Sequence, residues 1–477
     1  MRSGSLQRRP YSGAVATPAL ETTPTTSRAR SLVGRGDVGV LVLALAVPPL
    51  FIHERFQPES SFTLGQTVVD VRLADLAVLA VIAVAIAGAL REGIAPLRPA
   101  LALWASGAAL LAWLAFQVLR PASLDDPGFS DHLVTYFKLL EYSTIAAAVP
   151  LIVRTRRDLA ILAGAIVLWC AVATFVALLQ FFGLGVFAVS TSGWRYASFL
   201  GRHDLAALAA LASGLAAAGA LVGKRHLPAA RLASVALAAG VLGLVLAGSV
   251  TAAAGFAVGA LALWLAAQRP FGPTGSGTLK LASLVIAVVL GVVAIRSEAL
   301  EDFLRFVGIH GDEPAQGVES YSQRTVLSYI GLRIFMDQPL IGAGWQRSAT
   351  PEVFEPYVPD ARERFPDVVE LAFPAEGREW GVQNLYVQML ADAGVIGLVL
   401  LLLVGVAGLV LAWRTAARAP AAWATGAGLL VVCALFAIAG EWASLGTVPG
   451  IPLQAATCLL LGLAAAGAAV VAQERDG

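Results

Sequence analysis

The sequence predicts an all-α fold: a polytopic transmembrane bundle of about twelve helices with a large extracytoplasmic loop that carries amphipathic helices of its own. Three observations predict it. Hydrophobic residues make up 58% of the 477 and charged residues only 14%, whereas soluble domains carry about a quarter charged. Apolar stretches long enough to cross a hydrocarbon core of roughly 30 Å recur along the whole chain. The short segments between them alternate between basic and acidic or neutral, which is the signature of loops on alternating sides of a membrane.

Residues 1–36 stand apart, being Ser, Thr, Pro and Arg without apolar periodicity, as expected of a disordered tail. They are too long and too polar for the basic region of a cleaved signal peptide. The predicted spans then fall near 38–52, 73–90, 99–119, 133–152, 158–183, 203–222, 229–248, 250–267 and 279–295, and, after a polar stretch, near 384–413, 420–440 and 449–472. The first is short and contains Pro48 and Pro49. With the Arg-rich tail in the cytoplasm, the inner loops hold Arg91 and Arg98, then Arg154, Arg156 and Arg157, then Lys224, Arg225 and Arg231, then Arg269 and Lys280, then Arg414 and Arg418. Every inner loop is basic, as orientation by positive charge requires. Both termini are then cytoplasmic, and the chain divides into a tail (1–36), nine helices (37–295), an outer loop (296–383) and three more helices (384–477).

The outer loop is too long for a passive connector. Its first end reads YSQRTVLSYIGLRIFMDQPLIGAGWQ, a helix pattern with apolar residues at Val326, Tyr329, Ile330, Leu332 and Phe335, stopped by Pro339 and a Gly-x-Gly turn. Its second end reads VQNLYVQMLADAGVIGLVLLLLV, a helix opened by Asn384 that carries Asp392 and Gly394 before running into Leu and Val. The loop's cations past its first residue are all arginines, among them Arg324, Arg333 and Arg347. Two readings of that choice stand: guanidinium forks suit phosphate oxygens, and the whole chain has only three lysines.

These residues also carry a resemblance. The order Arg324, Arg333, DQPLIGAGW, then QNLYVQMLADAGVIGL, together with the upstream segment GWRYASFLGRHDLAALAAL, resembles the O-antigen ligase and polymerase superfamily of bacterial membrane glycosyltransferases. The chain departs from the family pattern in two places: Gln383 stands where the family usually has His before Asn, and AGSVTAAAG, with Ser249 and Thr251, stands where many members have Ser-x-Ser-Arg. The resemblance implies an enzyme of the bacterial inner membrane that takes a polyprenyl-diphosphate-linked glycan and a glycan or lipid-glycan acceptor, without a cofactor. No nucleic-acid partner is expected. It picks out Arg324 and Arg195 as catalytic, with Gln383 and Asn384 orienting the acceptor, and Arg202, His203, Arg347 and Glu379 join them as candidate substrate-binding residues. Fixed guanidinium groups at a dry interface can neutralise the charge that develops on a diphosphate leaving group. Arg202 stands beside a helix N-terminus, where backbone N–H groups favour anions, and it would share a face with Arg195 if the intervening segment were helical. A plain interfacial role for Arg202 is the alternative. The acceptor's proton has no obvious destination, since Gln383 takes none. Glu376, Glu379, Glu441, His203 and His310 stay open as bases beside the reading that no strong base is needed.

The remaining polar residues suggest less. Cys170, Cys433 and Cys458 fall inside predicted spans, where a thiol is an apolar filler, and the five histidines lack ligand spacing. The Asp125-Asp126 pair suits a divalent metal or a simple Asp-Pro-Gly turn, and no metal is expected. Lys138 and Glu141 lie three apart on one helix face and can neutralise each other. Tryptophans at helix ends suggest interfacial belts. Within the same superfamily the alternative activity is polymerisation of lipid-linked repeat units. From another class, a transporter or flippase would be expected to show two matched halves with broken helices, and no such halves are visible.

Overall fold

The structure, a computed structural model, describes residues 35–64, 67–124, 128–187, 195–224, 227, 229–268, 272, 274–306, 320–378, 380–418, 422–447 and 449–476. The tail expected over 1–36 lies outside the described residues up to position 34. Helices follow in the order α1 (Arg35–Leu50), α2 (Leu73–Glu92), α3 (Leu101–Leu119), α4 (Pro121–Leu124), α5 (Phe129–Ile152), α6 (Arg156–Phe181), α7 (Arg202–Val222), α8 (Ala233–Ala247), α9 (Val250–Ala267), α10 (Gly275–Ile295), α11 (Ser297–Phe306), α12 (Ser320–Asp337), α13 (Pro351–Phe354), α14 (Val358–Arg364), α15 (Leu385–Arg418), α16 (Ala422–Trp442) and α17 (Pro452–Asp476).

Among the described residues, ten helical stretches are long and apolar enough to cross a membrane. They coincide with ten of the twelve expected spans. The other two are helical as well: α1 is short and ends in Pro48 and Pro49, and α5 carries Asp131, Lys138 and Glu141 along an otherwise apolar helix. Two of these charges, Lys138 and Glu141, are neutralised within the bundle, while Asp131 is exposed. Lys138 pairs with Asp75 of α2, which is 4% exposed, and stands 4.0 Å from Glu141, so the expected local pair is a bridge between two helices. Burying these charges is tolerable because each has an opposite partner.

The all-α expectation misses one element. Residues Glu59–Leu64 and Thr67–Arg72 pair as an antiparallel hairpin, from Glu59 opposite Arg72 to Leu64 opposite Thr67. Ser61 donates to Asp70 across it at 2.7 Å, and Arg72 reaches Glu54 at 2.8 Å. It joins α1 to α2 at the end of the bundle away from the basic loops.

At the centre, α7, α16 and α17 are almost entirely enclosed by other helices, while α10 and α15 turn residues such as Leu290, Leu402 and Val406 outward. Small residues let the inner backbones touch. A Cβ on Gly255 would lie 2.3 Å from the Phe436 carbonyl, and one on Gly440 would lie 2.3 Å from the Thr251 carbonyl. This contact brings the start of α9 against the end of α16, and with it Ser249 against Glu441.

Between α10 and α15 the polar stretch builds a small core of its own from Val326, Ile330, Ile334, Ala343, Phe354, Val358, Ala361, Phe373 and Ala391. The buried face of α12 is therefore Val326, Leu327, Ile330 and Ile334, and Leu332, expected on that face, is 40% exposed. Several tryptophans expected in an interfacial belt instead make internal hydrogen bonds. Trp345 is 1% exposed and donates to Thr135 at 3.0 Å, and Trp442 donates to Thr457 at 2.9 Å. Trp194 lies outside the described residues. All three cysteines are buried and unbridged.

Candidate functional site

The outer segment before α7 is stapled at both sides. The Tyr196 N–H donates to the Leu246 carbonyl at the end of α8 (3.0 Å), and Gln180 at the end of α6 accepts from the Ser198 N–H (2.8 Å). The segment is not helical up to Gly201, whose φ of 109° starts α7. Arg195 and Arg202 therefore do not share a helix face as their spacing would suggest. They converge nonetheless on Glu441, which is fully buried at the end of α16, because each guanidinium lies within electrostatic reach of its carboxylate.

Arg296, the residue that ends α10, completes the group. Gly248, in the left-handed conformation at φ 61°, lies between it and Arg195. A Cβ there would stand 3.3 Å from Arg195 Cγ and 3.3 Å from Arg296 Cδ. Arg296 also acts electrostatically on Arg202. Arg195 and Arg202 thus act on one buried carboxylate, with Arg296 beside them and Asp204 of α7 also within reach of Glu441. Glu441 is tightly held: it accepts from His203 Nδ1 and from the Ser249 hydroxyl, and Ser444 donates to it at 3.4 Å. Ser249 at the same time caps α9, accepting from the Ala252 N–H at 3.2 Å. The junction that lacks the usual arginine is thus still tied into the polar cluster. Guanidinium groups brought together in a largely buried setting suit a multiply charged anion.

Arg324 of α12 stands elsewhere in this arrangement. Its Nε donates to Gln383 Oε1 at 3.0 Å. The Asn384 side chain is a helix cap, accepting from the N–H groups of Tyr386 (3.0 Å) and Val387 (3.2 Å). The connection between the two polar groups runs through the α16–α17 turn: a Cβ on Gly446 would lie 2.3 Å from the carbonyl of Val382, and Tyr386 donates to the Ala439 carbonyl at 2.7 Å.

The two glycine motifs of the loop form one interlock. Helix α15 breaks at Gly394 (φ 67°, ψ −171°), and the PLIGAGW turn enters the break. The freed carbonyls of Ala391 and Asp392 accept from the N–H groups of Ala343 (2.7 Å) and Gly344 (2.8 Å), and Val395 N–H donates to the Pro339 carbonyl (2.9 Å). Trp113 of α3 donates to the Ala393 carbonyl at 3.0 Å. Each backbone group released by the kink finds a partner, as a membrane-facing helix requires. Arg347 follows the turn and sits beside Arg120 and the buried Asp392, whose carboxylate accepts from the Ser348 N–H (2.9 Å) and Gln388 (3.2 Å). Arg347 therefore belongs with the interlock and not with the arginine trio.

The family model described as O-antigen ligase matches residues 233–402, from α8 to the membrane part of α15. That stretch of the chain is similar to the O-antigen ligase family. A search of curated proteins finds no match. The matched region holds Ser249, Arg296, Arg324, the glycine turn, Gln383, Asn384 and the Asp392 kink, while Arg195, Arg202, His203 and Glu441 lie on either side of it in the sequence.

Of the site residues expected from sequence, the structure brings Arg195, Arg202 and His203 together, joins Arg324 to Gln383, and places Glu379 outside the described residues. Arg296 was not among them, and Glu441 was one of several open candidates for the base. An acid near the end of an apolar run, as in AIAGEWASLG, is the signal that points to Glu441. Among the described residues no group of three or more His, Cys, Asp or Glu is disposed to hold a metal, and Asp125 and Asp126 lie outside them.

Proposed function

We propose that this multi-pass protein is a glycosyltransferase of the O-antigen ligase type, moving a glycan from a polyprenyl diphosphate to an acceptor hydroxyl at the outer face of a bacterial inner membrane. The observation that carries the reading is the grouping of Arg195 and Arg202 at the buried Glu441 with Arg296 beside them, at the helix ends opposite the basic loops. A diphosphate held there would meet three fixed guanidinium groups. Their attraction grows as the bond from the anomeric carbon to the diphosphate oxygen breaks and charge collects on that oxygen. Arg324, Gln383 and the capped start of α15 then line the approach of the acceptor.

Loss of the protein tests the reading. In cells without it, the lipid-linked donor is expected to accumulate on the outer leaflet, accessible to an impermeant glycan-cleaving enzyme. Full-length glycans on the carrier support the ligase reading, and single repeat units would move it to polymerase. Accumulation on the cytoplasmic leaflet would mean the protein moves the lipid across instead.

The orientation has its own test. Glu376, in the polar loop, and Ile94, between α2 and α3, are both exposed. A cysteine at Glu376 should react with an impermeant thiol reagent in intact cells, and one at Ile94 only after permeabilisation. The native thiols are buried, which keeps the background low. The reverse pattern would invert the bundle and remove the site from the outer face.

A further inference from the structure

We propose that His203 is the general base of the transfer, with Glu441, Ser249 and Ser444 as its positioning residues. This rests on the glycosyltransferase reading above and names the group that takes the acceptor's proton. The Glu441 carboxylate lies on His203 Nδ1 and is held from its other sides by the hydroxyls of Ser249 and Ser444. A carboxylate on Nδ1 fixes the neutral ring with its proton there, so that Nε2 is the lone-pair nitrogen. The same carboxylate stabilises the ring once it is charged. The His203 side chain keeps 15% of its surface exposed while Glu441 keeps 1%, so the base is reachable and its partner is not.

The other groups near the site are engaged or badly placed for this role. Gln383 is held by Arg324 and takes no proton, and Asn384 caps α15. Asp392 accepts from Ser348 and Gln388 inside the interlock, and Asp204 accepts from the Leu453 backbone. Glu376 is exposed on the polar loop. His203, by contrast, follows Arg202 directly at the start of α7, beside the proposed diphosphate site.

In the step itself, the acceptor oxygen bonds to the anomeric carbon as that carbon's bond to the diphosphate oxygen breaks. The bonding pair leaves with the diphosphate, and the acceptor's hydroxyl proton passes to His203 Nε2. The ring then carries a positive charge against Glu441 until the proton goes to solvent. No oxidant or metal is needed for the balance.

The groups that face His203 are Glu441 and Ser444 at the end of α16, Ser249 at the start of α9, and Arg202 and Asp204 on its own helix. Arg195 acts on the same carboxylate, and Arg296 acts on Arg202. The guanidinium groups keep their charge across the working pH range. His53 is the other histidine nearby, lying against Gly201, and burial lowers its pKa from the ordinary imidazole value.

The experiment measures transfer by purified protein against pH, using lipid-linked donor extracted from membranes of cells that lack the protein, and measures binding of undecaprenyl diphosphate separately. A base must be neutral to act, so the wild-type rate should rise with pH and then level. His203→Gln is expected to lose that rising limb and to lower the plateau about a hundredfold or more, with undecaprenyl diphosphate binding retained. Glu441→Gln should lower the plateau as well, and His53→Gln should keep the limb. A limb that survives in His203→Gln overturns the proposal. So does loss of carrier binding in that variant with a rate that falls as pH rises, which would make His203 a phosphate ligand. If the wild-type protein transfers nothing at any pH, the transferase reading fails and the base assignment with it.

Discussion

Arg195→Ala is expected to slow glycan transfer about a hundredfold or more while leaving the bundle folded. The expectation follows from where the guanidinium sits. It is 9% exposed, its stem lies against Gly248, and it acts on the buried carboxylate of Glu441. A charge held in so dry a setting costs no reorganisation when the diphosphate takes on charge, and removing one such contact typically costs about 3 kcal/mol of transition-state stabilisation. Glu441 would still be held by His203, Ser249 and Ser444, so the fold should persist. Arg195→Lys keeps the charge but not the fork and should recover only part of the rate. Initial rates of transfer, read beside the thermal unfolding midpoint in detergent, separate the two effects. A wild-type rate in a well-folded Arg195→Ala protein would remove the diphosphate role from this residue.

Arg296→Ala should behave in the same way, and the pair should fall short of additivity because the two side chains flank the same glycine and share one anion. This separates an anion site from two unrelated interfacial arginines, whose effects would add.

The helices were legible because a span needs about twenty apolar residues in a row, and nothing else in a sequence looks like that. The hairpin at Glu59–Leu64 and Thr67–Arg72 was not, because its strands are short and half polar and lie between two long apolar runs. The site divides along the same line. Arg195, Arg202 and His203 stood out as a polar opening to an apolar helix. Their partner Glu441 lies 238 residues from His203, and it reaches the cluster only because glycines on α9 and α16 let those two helices touch. Arg296 looked like an ordinary charge at a helix end until Gly248 was seen wedged between it and Arg195. Asn384 shows that a motif position can also serve the backbone: its side-chain oxygen caps α15. A motif marks where backbone and side chains must be fixed, and only the fold says which of the two each residue fixes.

Gly394→Ala is expected to be the most damaging single-methyl change in the loop region. At φ 67° and ψ −171° the residue occupies backbone space that is close to glycine-only, and an added Cβ would stand 2.2 Å from the Leu340 carbonyl oxygen. The methyl cannot be accommodated by a rotamer change, because what it meets is backbone. Either α15 straightens, which strands the carbonyls of Ala391 and Asp392 and the Val395 N–H, or the PLIGAGW turn is pushed out of the break. Backbone strain of about 1–3 kcal/mol then adds to the loss of hydrogen bonds worth about 1 kcal/mol each, so several kcal/mol are at stake. The turn also carries Trp345 onto α5 and Arg347 beside Asp392, and through α12 it supports Arg324, so transfer should be lost together with order in the loop. Gly405 of the same helix provides the comparison, since nothing lies within 4 Å of a Cβ built there. Gly405→Ala should leave both the unfolding midpoint and the rate close to wild type. Faster protease cleavage in the 337–345 segment and a lowered midpoint are expected for Gly394→Ala alone. Equal behaviour of the two variants would mean that the kink and the turn do not hold each other as described.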